Sequence, residues 1–384
     1  MSDQPPLPMP LSAELRLQQP ALDIRAQFRV LPGRVCALVG RSGSGKTALL
    51  QAAAGLRPAL GGRVAVGNHP LYDSAAGINL PPHQRRLGWL DAQGHLFPHL
   101  NVRRNLAYGL SSAPKSNSDM GFDAVTHWLD LGSLLNAHPD RLTPGQRAKV
   151  ALGRVLLSSP RALLMDDPLG HVPEPDRAPL IDLLGQVPTR AKVPLVFVSP
   201  RMSEVIRMAD EVIVLHEGRM ASAGMATQIL SDVSLSTFLE GVDAGSVVEG
   251  EVKHHDINWM LSEVDVGGQR VTVPAVLHGA GRKVRLKIRA RDIILQRDLI
   301  DGQGVSNQLR GRISQIMLAG ENGSYGAVGI ELARLRDEGD FSALPAVQLW
   351  ALLTRRSIQQ MGWEPGQPCV ASFKAMAVTV SMWR

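Results

Sequence analysis

The feature that most constrains this chain is the segment at residues 40–47, Gly-Arg-Ser-Gly-Ser-Gly-Lys-Thr, which matches the phosphate-binding pattern G-x-x-x-x-G-K-[ST] in full. Glycines let a backbone turn tightly and approach an anion, so that successive N–H groups face phosphate oxygens. Lys46 is placed to neutralise the terminal phosphates, during catalysis as well as binding, and Thr47 to hold Mg²⁺. The predicted phosphate-binding residues are Gly40, Arg41, Ser42, Gly43, Ser44, Gly45, Lys46 and Thr47.

The residues on either side give this segment the expected context. Residues 34–39 predict a buried strand, and residues 48–54 predict the start of a helix. The segment would then join a strand to a helix N-terminus, where the helix dipole favours an anion. A chance turn rich in Gly and Ser is the alternative, but it does not explain the Lys-Thr pair at the required offset.

Two patterns divide the chain. In the first part, apolar runs without alternation at residues 162–165, 195–198 and 212–215 are typical of parallel strands buried on both faces. Helix-like stretches separate these runs, which favours βαβ connections. We therefore predict an α/β P-loop nucleotide-binding domain over residues 1–240.

The second part of the chain alternates apolar and polar residues, as half-buried antiparallel strands do. The alternation runs through residues 247–252, 269–273 and 283–288, with glycine-rich turns between them. This pattern predicts an all-β domain over residues 245–384, folded as a small OB-like barrel. The predicted boundary lies near residues 239–246.

Composition and charge narrow the classes of function. The chain has 384 residues, of which 44% are hydrophobic and 20% charged, which is typical of a soluble globular protein. It has no long apolar run, no signal-peptide pattern and only 2 distant cysteines, so we expect a reduced cytosolic protein. The net charge of +6 comes from scattered basic residues without interleaved aromatics, so we expect no nucleic-acid partner. Nearby acidic lipid headgroups are another explanation of the basic surface.

A pair of carboxylates follows one of the buried strands. Asp166 closes the strand at residues 162–165, beside the phosphate loop, where a carboxylate suits Mg²⁺ together with Thr47. Asp167 comes next and is predicted to orient or deprotonate the attacking water. The alternative is an Asp-Asp-Pro turn or helix cap. Just upstream, residues 148–157 predict a helix.

Three motifs occur in the order found in ABC-transporter ATPase subunits: the phosphate loop, Leu-Thr-Pro-Gly-Gln, and Leu-Leu-Met-Asp-Asp-Pro-Leu at residues 163–169. Residues 78–88 and 96–106 are similar to the ATP-binding subunits of molybdate importers. The resemblance implies a signature segment made of Leu142, Thr143, Pro144, Gly145 and Gln146.

The barrel also resembles that subfamily, in its molybdate- and tungstate-binding module at about residues 304–380. The resemblance implies an oxyanion site, which would make molybdate or tungstate a regulatory ligand. The candidate oxyanion residues are Asn307, Thr354, Ser357 and Lys374. A barrel that only joins subunits is the alternative, because Gly304 stands where the module has a serine.

The same resemblance implies cofactors, partners and location. The cofactors are ATP and Mg²⁺. The partners are a membrane permease, a second copy of the chain packed head to tail and, indirectly, a periplasmic substrate-binding protein. The chain would be peripheral, on the cytoplasmic face of the inner membrane. Sulfate, iron, sugar or polyamine stay open as substrates, since related importers carry similar barrels.

Several residues differ from the motifs of the family. Gln93, the Q-loop candidate, lies one residue later than the family's glutamine. Pro144 replaces a signature glycine and removes a backbone donor. Asp167 replaces a glutamate and is one methylene shorter. The remaining replacements are Thr143 for serine, Pro173 for the D-loop aspartate and Pro200 for the switch histidine.

These differences affect hydrolysis more than binding, since the phosphate loop is intact. Removing one preorganised group typically costs on the order of 10²–10³ in rate, so we expect slow hydrolysis. No aromatic residue lies near Pro20 to stack on adenine. Two alternatives stay open: a nucleotide-binding regulator or degenerate partner subunit, and a P-loop protein of another class, such as a nucleotide kinase or DNA-linked ATPase. The signature-like segment argues against the second alternative, a P-loop protein of another class.

Overall fold

The computed structural model describes residues 9–382 with the exception of 21, 112–119, 233, 236–243, 275–278, 301–305, 319–323 and 334–346. The chain divides into two compact units, one ending at Gly224 and the other starting at Met225. The boundary predicted near residues 239–246 lies mostly outside the described residues. The limits of the two domains therefore stay predictions.

The first unit is a mixed sheet with helices. Its strands are β1 (Leu11–Gln19), β2 (Leu22–Val30), β3 (Val35–Val39), β4 (Gly61–Val66), β5 (His69–Asp73), β6 (Ile78–Asn79), β7 (Leu87–Asp91), β8 (Ala162–Asp166), β9 (Leu195–Val198), β10 (Glu211–His216) and β11 (Arg219–Met225). Its helices are α1 (Lys46–Ala54), α2 (Pro82–Arg85), α3 (Val102–Ser111), α4 (Phe122–Trp128), α5 (Pro144–Leu157), α6 (Glu174–Ala191) and α7 (Met202–Met208).

The strands of this unit form one sheet in the order β6-β5-β4-β1-β2-β11-β10-β3-β9-β8-β7. Strands β10, β3, β9, β8 and β7 pair in parallel, as the unbroken apolar runs predict, and β3 and β9 are buried along their whole length. Strands β1, β2 and β4 are antiparallel, and β1 alternates buried and exposed residues because it has one wet face. The carboxyl ends of β3, β9 and β8 therefore meet at one edge.

The helices follow local signals at their ends. Helix α1 begins directly after Gly45 and buries Leu49 and Leu50 in the core. Helix α5 begins at Pro144, four residues before the predicted start at 148, because Thr143 and Gln146 form a capping box and proline is tolerated at the first helical position. No helix in the described ranges combines the length and apolar character required to cross a bilayer.

The second unit is almost entirely antiparallel sheet, which confirms the all-β prediction. One sheet has the order β14-β13-β12-β15-β21 and the other β16-β20-β17-β18-β19. The main apolar core of this unit draws side chains from both sheets, including Val264, Leu286, Ile330 and Phe373. The elements are α8 (Ala226–Ser231), β12 (Gly245–Asp256), β13 (Leu261–Val266), β14 (Gln269–Pro274), β15 (Lys283–Arg289), β16 (Ile294–Gln296), β17 (Asn307–Leu318), β18 (Tyr325–Leu332), β19 (Gln348–Thr354), α9 (Arg355–Met361), β20 (Pro368–Phe373) and β21 (Val378–Met382).

Candidate functional site

The phosphate loop joins the carboxyl end of β3 to the N-terminus of α1, as predicted. Gly40 has a φ of 144°, and a Cβ there would lie 2.1 Å from the carbonyl oxygen of Leu215. Gly45 has a φ of 102°, and a Cβ there would lie 2.7 Å from Ile24 Cδ1. Both positions therefore require glycine for conformation and for space.

Lys46 and Thr47 begin the helix, so both side chains lie at its positive end. Lys46 Nζ donates to the carbonyl oxygens of Gly40 and Arg41, at 2.8 Å each. These bonds hold the Lys46 ammonium against the loop, where it would contact a bound anion. Thr47 Oγ1 lies 3.0 Å from Asp166 Oδ1, so the two predicted magnesium ligands are in direct contact.

A cleft of about 370 Å³ lies over the loop. It is lined by eight of the ten residues predicted to bind nucleotide or magnesium or to act in catalysis: Gly40, Ser42, Gly43, Gly45, Lys46, Thr47, Asp166 and Asp167. Ser44 is buried beneath the loop, where its hydroxyl lies 3.3 Å from Lys46 Nζ. Arg41 is exposed, and its carbonyl oxygen accepts a hydrogen bond from Lys46 Nζ. The Ser44 N–H donates to the carbonyl oxygen of Arg41 at 3.1 Å, and the roles of Arg41 and Ser44 as nucleotide ligands stay predictions.

Asp166 has an acidic neighbour that the sequence patterns do not reveal. The parallel register of β7 and β8 places Asp91 beside Asp166. Burial raises the pKa of Asp166, and Asp91 raises it further, whereas the hydrogen bond from Thr47 and the charge of Lys46 lower it. Thr47 and Asp166 supply the hard oxygen ligands that suit Mg²⁺, which usually keeps waters and substrate phosphates as its other ligands.

Asp167 occupies an uncommon backbone conformation next to the cleft. Its φ is 47°, and its N–H donates to the carbonyl oxygen of Val198 at 2.8 Å. Its Oδ1 accepts no hydrogen bond from the described residues and lies 3.9 Å from Arg201 Nη1. Burial raises the pKa of Asp167, and the nearby charge of Glu204 raises it further. Oδ1 is buried, but the carboxylate as a whole lines the cleft, and its raised pKa suits it to accept a proton from water.

A buried polar network lies behind the cleft. Arg177 Nη1 donates to Glu204 Oε1 at 2.7 Å, and the Ser199 hydroxyl donates to Glu204 Oε2 at 2.7 Å. Arg177 Nη2 also donates to the carbonyl oxygen of Gly170 at 3.3 Å. Arg177, Glu204 and Ser199 are at most 5% exposed. Ser199 and Pro200 line the cleft, so this network holds the position where the family has its histidine.

Gln93 does not join the site within one chain. It is exposed in the turn after β7 and is not among the residues that line the cleft. Asp91 Oδ1 accepts from the backbone N–H groups of Gln93 and Gly94 at 3.1 Å each, so Asp91 fixes the shape of this turn. Arg154 holds the same turn from α5, donating to the carbonyl oxygens of Gly94 and His95.

The signature segment also lies outside the cleft of its own chain. The Thr143 hydroxyl accepts from Gln146 N at 3.2 Å, and Gln146 Oε1 accepts from Thr143 N at 2.9 Å. These side chains therefore cap α5, while Leu142 is buried and Pro144 and Gly145 form the first turn. None of the five residues lines the cleft.

The oxyanion candidates of the second unit are dispersed. Asn307 is 1% exposed, and its amide exchanges two hydrogen bonds with the backbone of Thr272, so it is a structural bridge and we do not retain it as a ligand. The Thr354 hydroxyl caps α9 by accepting from Ser357 N. Lys374 is exposed after β20, and β17 and β18 lie between β20 and β19, which ends at Thr354.

Comparison with known proteins agrees with this geometry. Residues 25–170 match the family model described as ABC transporter, and residues 341–380 match the TOBE domain. The α/β P-loop domain followed by an OB-like barrel, predicted from the sequence, is thereby confirmed.

The chain is similar over most of its length to curated proteins named molybdenum import ATP-binding protein ModC. It is 36% identical to that of Rhizobium etli over 370 residues, covering 96% of this chain and 99% of the relative. It is 36% identical to that of Rhodospirillum rubrum over 368 residues, covering 96% and 97%. It is 36% identical to that of Azotobacter vinelandii over 372 residues, covering 94% and 99%. The chain therefore belongs to the molybdenum import ATP-binding proteins, a family of ABC-transporter ATPase subunits.

Proposed function

We propose that this chain is the energy-coupling ATPase of an ABC importer that carries molybdate or tungstate. The observation that carries the proposal is the contact of Thr47 with Asp166 above an intact phosphate loop, in a chain of this family. Sulfate, iron, sugar and polyamine importers are the competing assignments. The relatives named above favour a molybdenum oxyanion.

The residues of the cleft divide the chemical work among them. Backbone N–H groups of residues 42–47 and the Lys46 ammonium bind the phosphates. Thr47 and Asp166 would hold Mg²⁺, which would neutralise negative charge on the phosphates. Asp167, whose side chain lines the cleft, orients the attacking water and accepts its proton. Pro200 cannot donate a hydrogen bond to the terminal phosphate, so this contribution is missing.

Two copies of the chain would complete the site. The signature residues 142–146 lie outside their own cleft, at the N-terminus of α5. We infer that in a head-to-tail dimer this end of α5 faces the nucleotide of the other copy, where its dipole favours phosphate. Pro144 removes one N–H from that contact.

The permease would bind at residues 96–100. Asn105 holds this segment in shape, because its buried amide bonds to the backbone of Phe97 and Leu100. The Phe97 ring lies 4.7 Å from the ring of Tyr108, which is 53% exposed, and 5.1 Å from the Arg154 guanidinium. This aromatic surface suits a permease helix on the cytoplasmic side. Such docking would place the chain on the cytoplasmic face of the inner membrane, with a periplasmic substrate-binding protein acting on the opposite side.

Reconstitution with the permease tests this function. Proteoliposomes that contain the chain, the permease and the binding protein should accumulate molybdate or tungstate in preference to sulfate when ATP is supplied. The variant Lys46→Ala should abolish the uptake. In the same complex, a photoreactive residue in place of Phe97 should crosslink to the permease. Uptake of sulfate or another solute without molybdate, or no crosslink from an active complex, would contradict the assignment of substrate or docking surface.

The barrel would hold an oxyanion only between two copies. Thr354 and Lys374 end strands that are separated by β17 and β18 in one chain, so one chain alone does not group them. We infer that Lys374 of one copy approaches the capped end of α9 in another copy, where the Ser357 and Thr354 hydroxyls supply further donors. Binding of molybdate or tungstate there would signal to the ATPase that the cell is supplied with the oxyanion, and uptake would slow. This is coupling between two sites.

Calorimetry on the full chain tests the barrel site. Wild-type protein should bind molybdate or tungstate more tightly than sulfate, and Lys374→Ala should weaken this binding roughly tenfold or more, since a charged hydrogen bond contributes about 1.5–3 kcal/mol. The matched control is Lys253→Ala, at an exposed lysine of the same unit. Light scattering of the same samples should give the mass of a dimer. No heat of binding from a dimeric wild-type protein would leave the barrel as a structural coupler.

A further inference from the structure

The cleft extends beyond the phosphate loop, to a side where no role has been assigned. Two residues line it there: Gln19, at the end of β1, and Arg57, after α1. In the sheet, β9 and β8 lie on one side of β3, and β2 and β1 lie on the other. Asp166 ends β8 and Ser199 follows β9, so the magnesium end of a bound nucleotide points to that side. The nucleobase then extends toward Gln19 and Arg57.

Arg57 is fixed beside β1 by the way α1 ends. Gly55 closes the helix with a φ of 81°, and Leu56 N donates to the carbonyl oxygen of Gln51 at 2.8 Å. Three residues after Arg57, Leu60 N donates to the carbonyl oxygen of Arg16 on β1 at 2.8 Å. The segment that carries Arg57 is therefore tied at both ends, next to the strand that ends at Gln19.

The lining offers a nucleobase no aromatic partner. The described residues around the cleft include no Phe, Tyr, Trp or His. Arg57 is exposed and makes no hydrogen bond or ion pair within the part of the chain that the structure describes. A guanidinium is planar and weakly hydrated, so it stacks on flat rings in a way that a lysine ammonium does not. Gln19 is half-buried, and its amide can both donate and accept.

We propose that the Arg57 guanidinium stacks on the nucleobase and that the Gln19 amide hydrogen-bonds to the edge of the base. The proposal rests on the binding of the phosphates by residues 40–47. Stacking is tolerant of the base, because every base has a π-face. An amide that rotates can match either adenine or guanine. The site therefore binds ATP and GTP with similar affinity, and Arg57 contributes to both.

Binding of three magnesium-loaded probes to the full chain tests this subsite: ATP, GTP and inorganic tripolyphosphate. Arg57→Ala should weaken the binding of ATP and of GTP roughly tenfold each, because one stacking partner is lost. The affinity for tripolyphosphate should stay unchanged, because it has no base. Arg57→Lys, which keeps the charge, should bind the probes as Arg57→Ala does. Arg57→Tyr, which supplies a ring for stacking, should restore the affinity for both ATP and GTP. Arg104→Ala is the matched control, because Arg104 is exposed on α3 and lies outside the cleft.

Other outcomes would overturn the proposal. If Arg57→Ala weakens tripolyphosphate binding as much as nucleotide binding, or if Arg57→Lys binds nucleotides as the wild type does, then Arg57 acts as a positive charge that attracts phosphate. Unchanged affinities for all three probes would remove Arg57 from the site. If wild-type protein binds neither nucleotides nor tripolyphosphate, the phosphate-loop assignment fails and this subsite fails with it. Normal tripolyphosphate binding with no advantage for nucleotides would reject the subsite alone.

Discussion

Replacing Lys46 with alanine is expected to remove most of the affinity for ATP while the protein stays folded. Lys46 Nζ now donates to the Gly40 and Arg41 carbonyls, and it is the cation that lies over the loop. Each charged hydrogen bond to phosphate contributes roughly 1.5–3 kcal/mol, so two of them predict a loss on the order of 10²-fold or more. Titration calorimetry with ATP and Mg²⁺ measures this loss directly.

The control for Lys46→Ala separates binding from stability. The variant should unfold near the wild-type temperature, because the hydrogen bonds of Lys46 to Gly40, Arg41 and Ser44 stay within its own loop and Lys46 is not part of the apolar core. Lys253→Ala, at an exposed lysine of the second unit, should bind ATP as the wild type does. ATP binding by a folded Lys46→Ala protein at wild-type strength would reject the phosphate-loop assignment.

Restoring two family residues is expected to raise a slow ATPase by on the order of 10²-fold. Asp167→Glu lengthens the carboxylate toward the water, and Pro200→His supplies a donor for the terminal phosphate. Steady-state phosphate release, with and without the permease, measures the change. Asp167→Glu places a longer side chain at a φ of 47°, so the protein should lose about 1 kcal/mol of unfolding free energy.

The rate of the wild-type protein decides between the two main assignments. Slow turnover that the double variant increases would support an eroded hydrolysis site. A wild-type rate of about 1–10³ s⁻¹ would mean that Asp167 and Pro200 do not limit turnover. Turnover that stays negligible even with the permease would favour the nucleotide-binding regulator or degenerate partner subunit. Asp167→Asn is the matched control, since it keeps the size of the side chain and removes its charge.

The local parts of this site were predictable because their signals lie in single segments. The glycine spacing of residues 40–47 predicts the loop, and the unbroken apolar run before Asp166 predicts a buried parallel strand. The cap of α5 was equally local, because Thr143 and Gln146 have capping-box spacing. The start at Pro144 differs from the predicted start at residue 148 because proline removes a backbone donor but is still tolerated at the first helical position.

Other parts required the arrangement in space. Asp91 is a neighbour of Asp166 only because β7 pairs with β8 in a particular register, which no local pattern defines. Arg177 and Glu204 are 27 residues apart, and each alone resembles an ordinary polar helix residue. The amide of Asn307 proved to be occupied by Thr272, 35 residues away. Pairings between distant segments are therefore what the sequence patterns left out.

The buried Arg177–Glu204 pair has a consequence for how this protein tolerates change at residue 200. Through Ser199 and Gly170, the pair links the turn before α7 to the turn after β8 by hydrogen bonds. Breaking a buried pair by removing one partner costs about 3–5 kcal/mol, so this coupling is hard to lose. The side chain of Pro200 takes no part in these hydrogen bonds, so it can be replaced without breaking them. The protein can thus gain or lose a phosphate sensor there without moving the turn that carries Asp167.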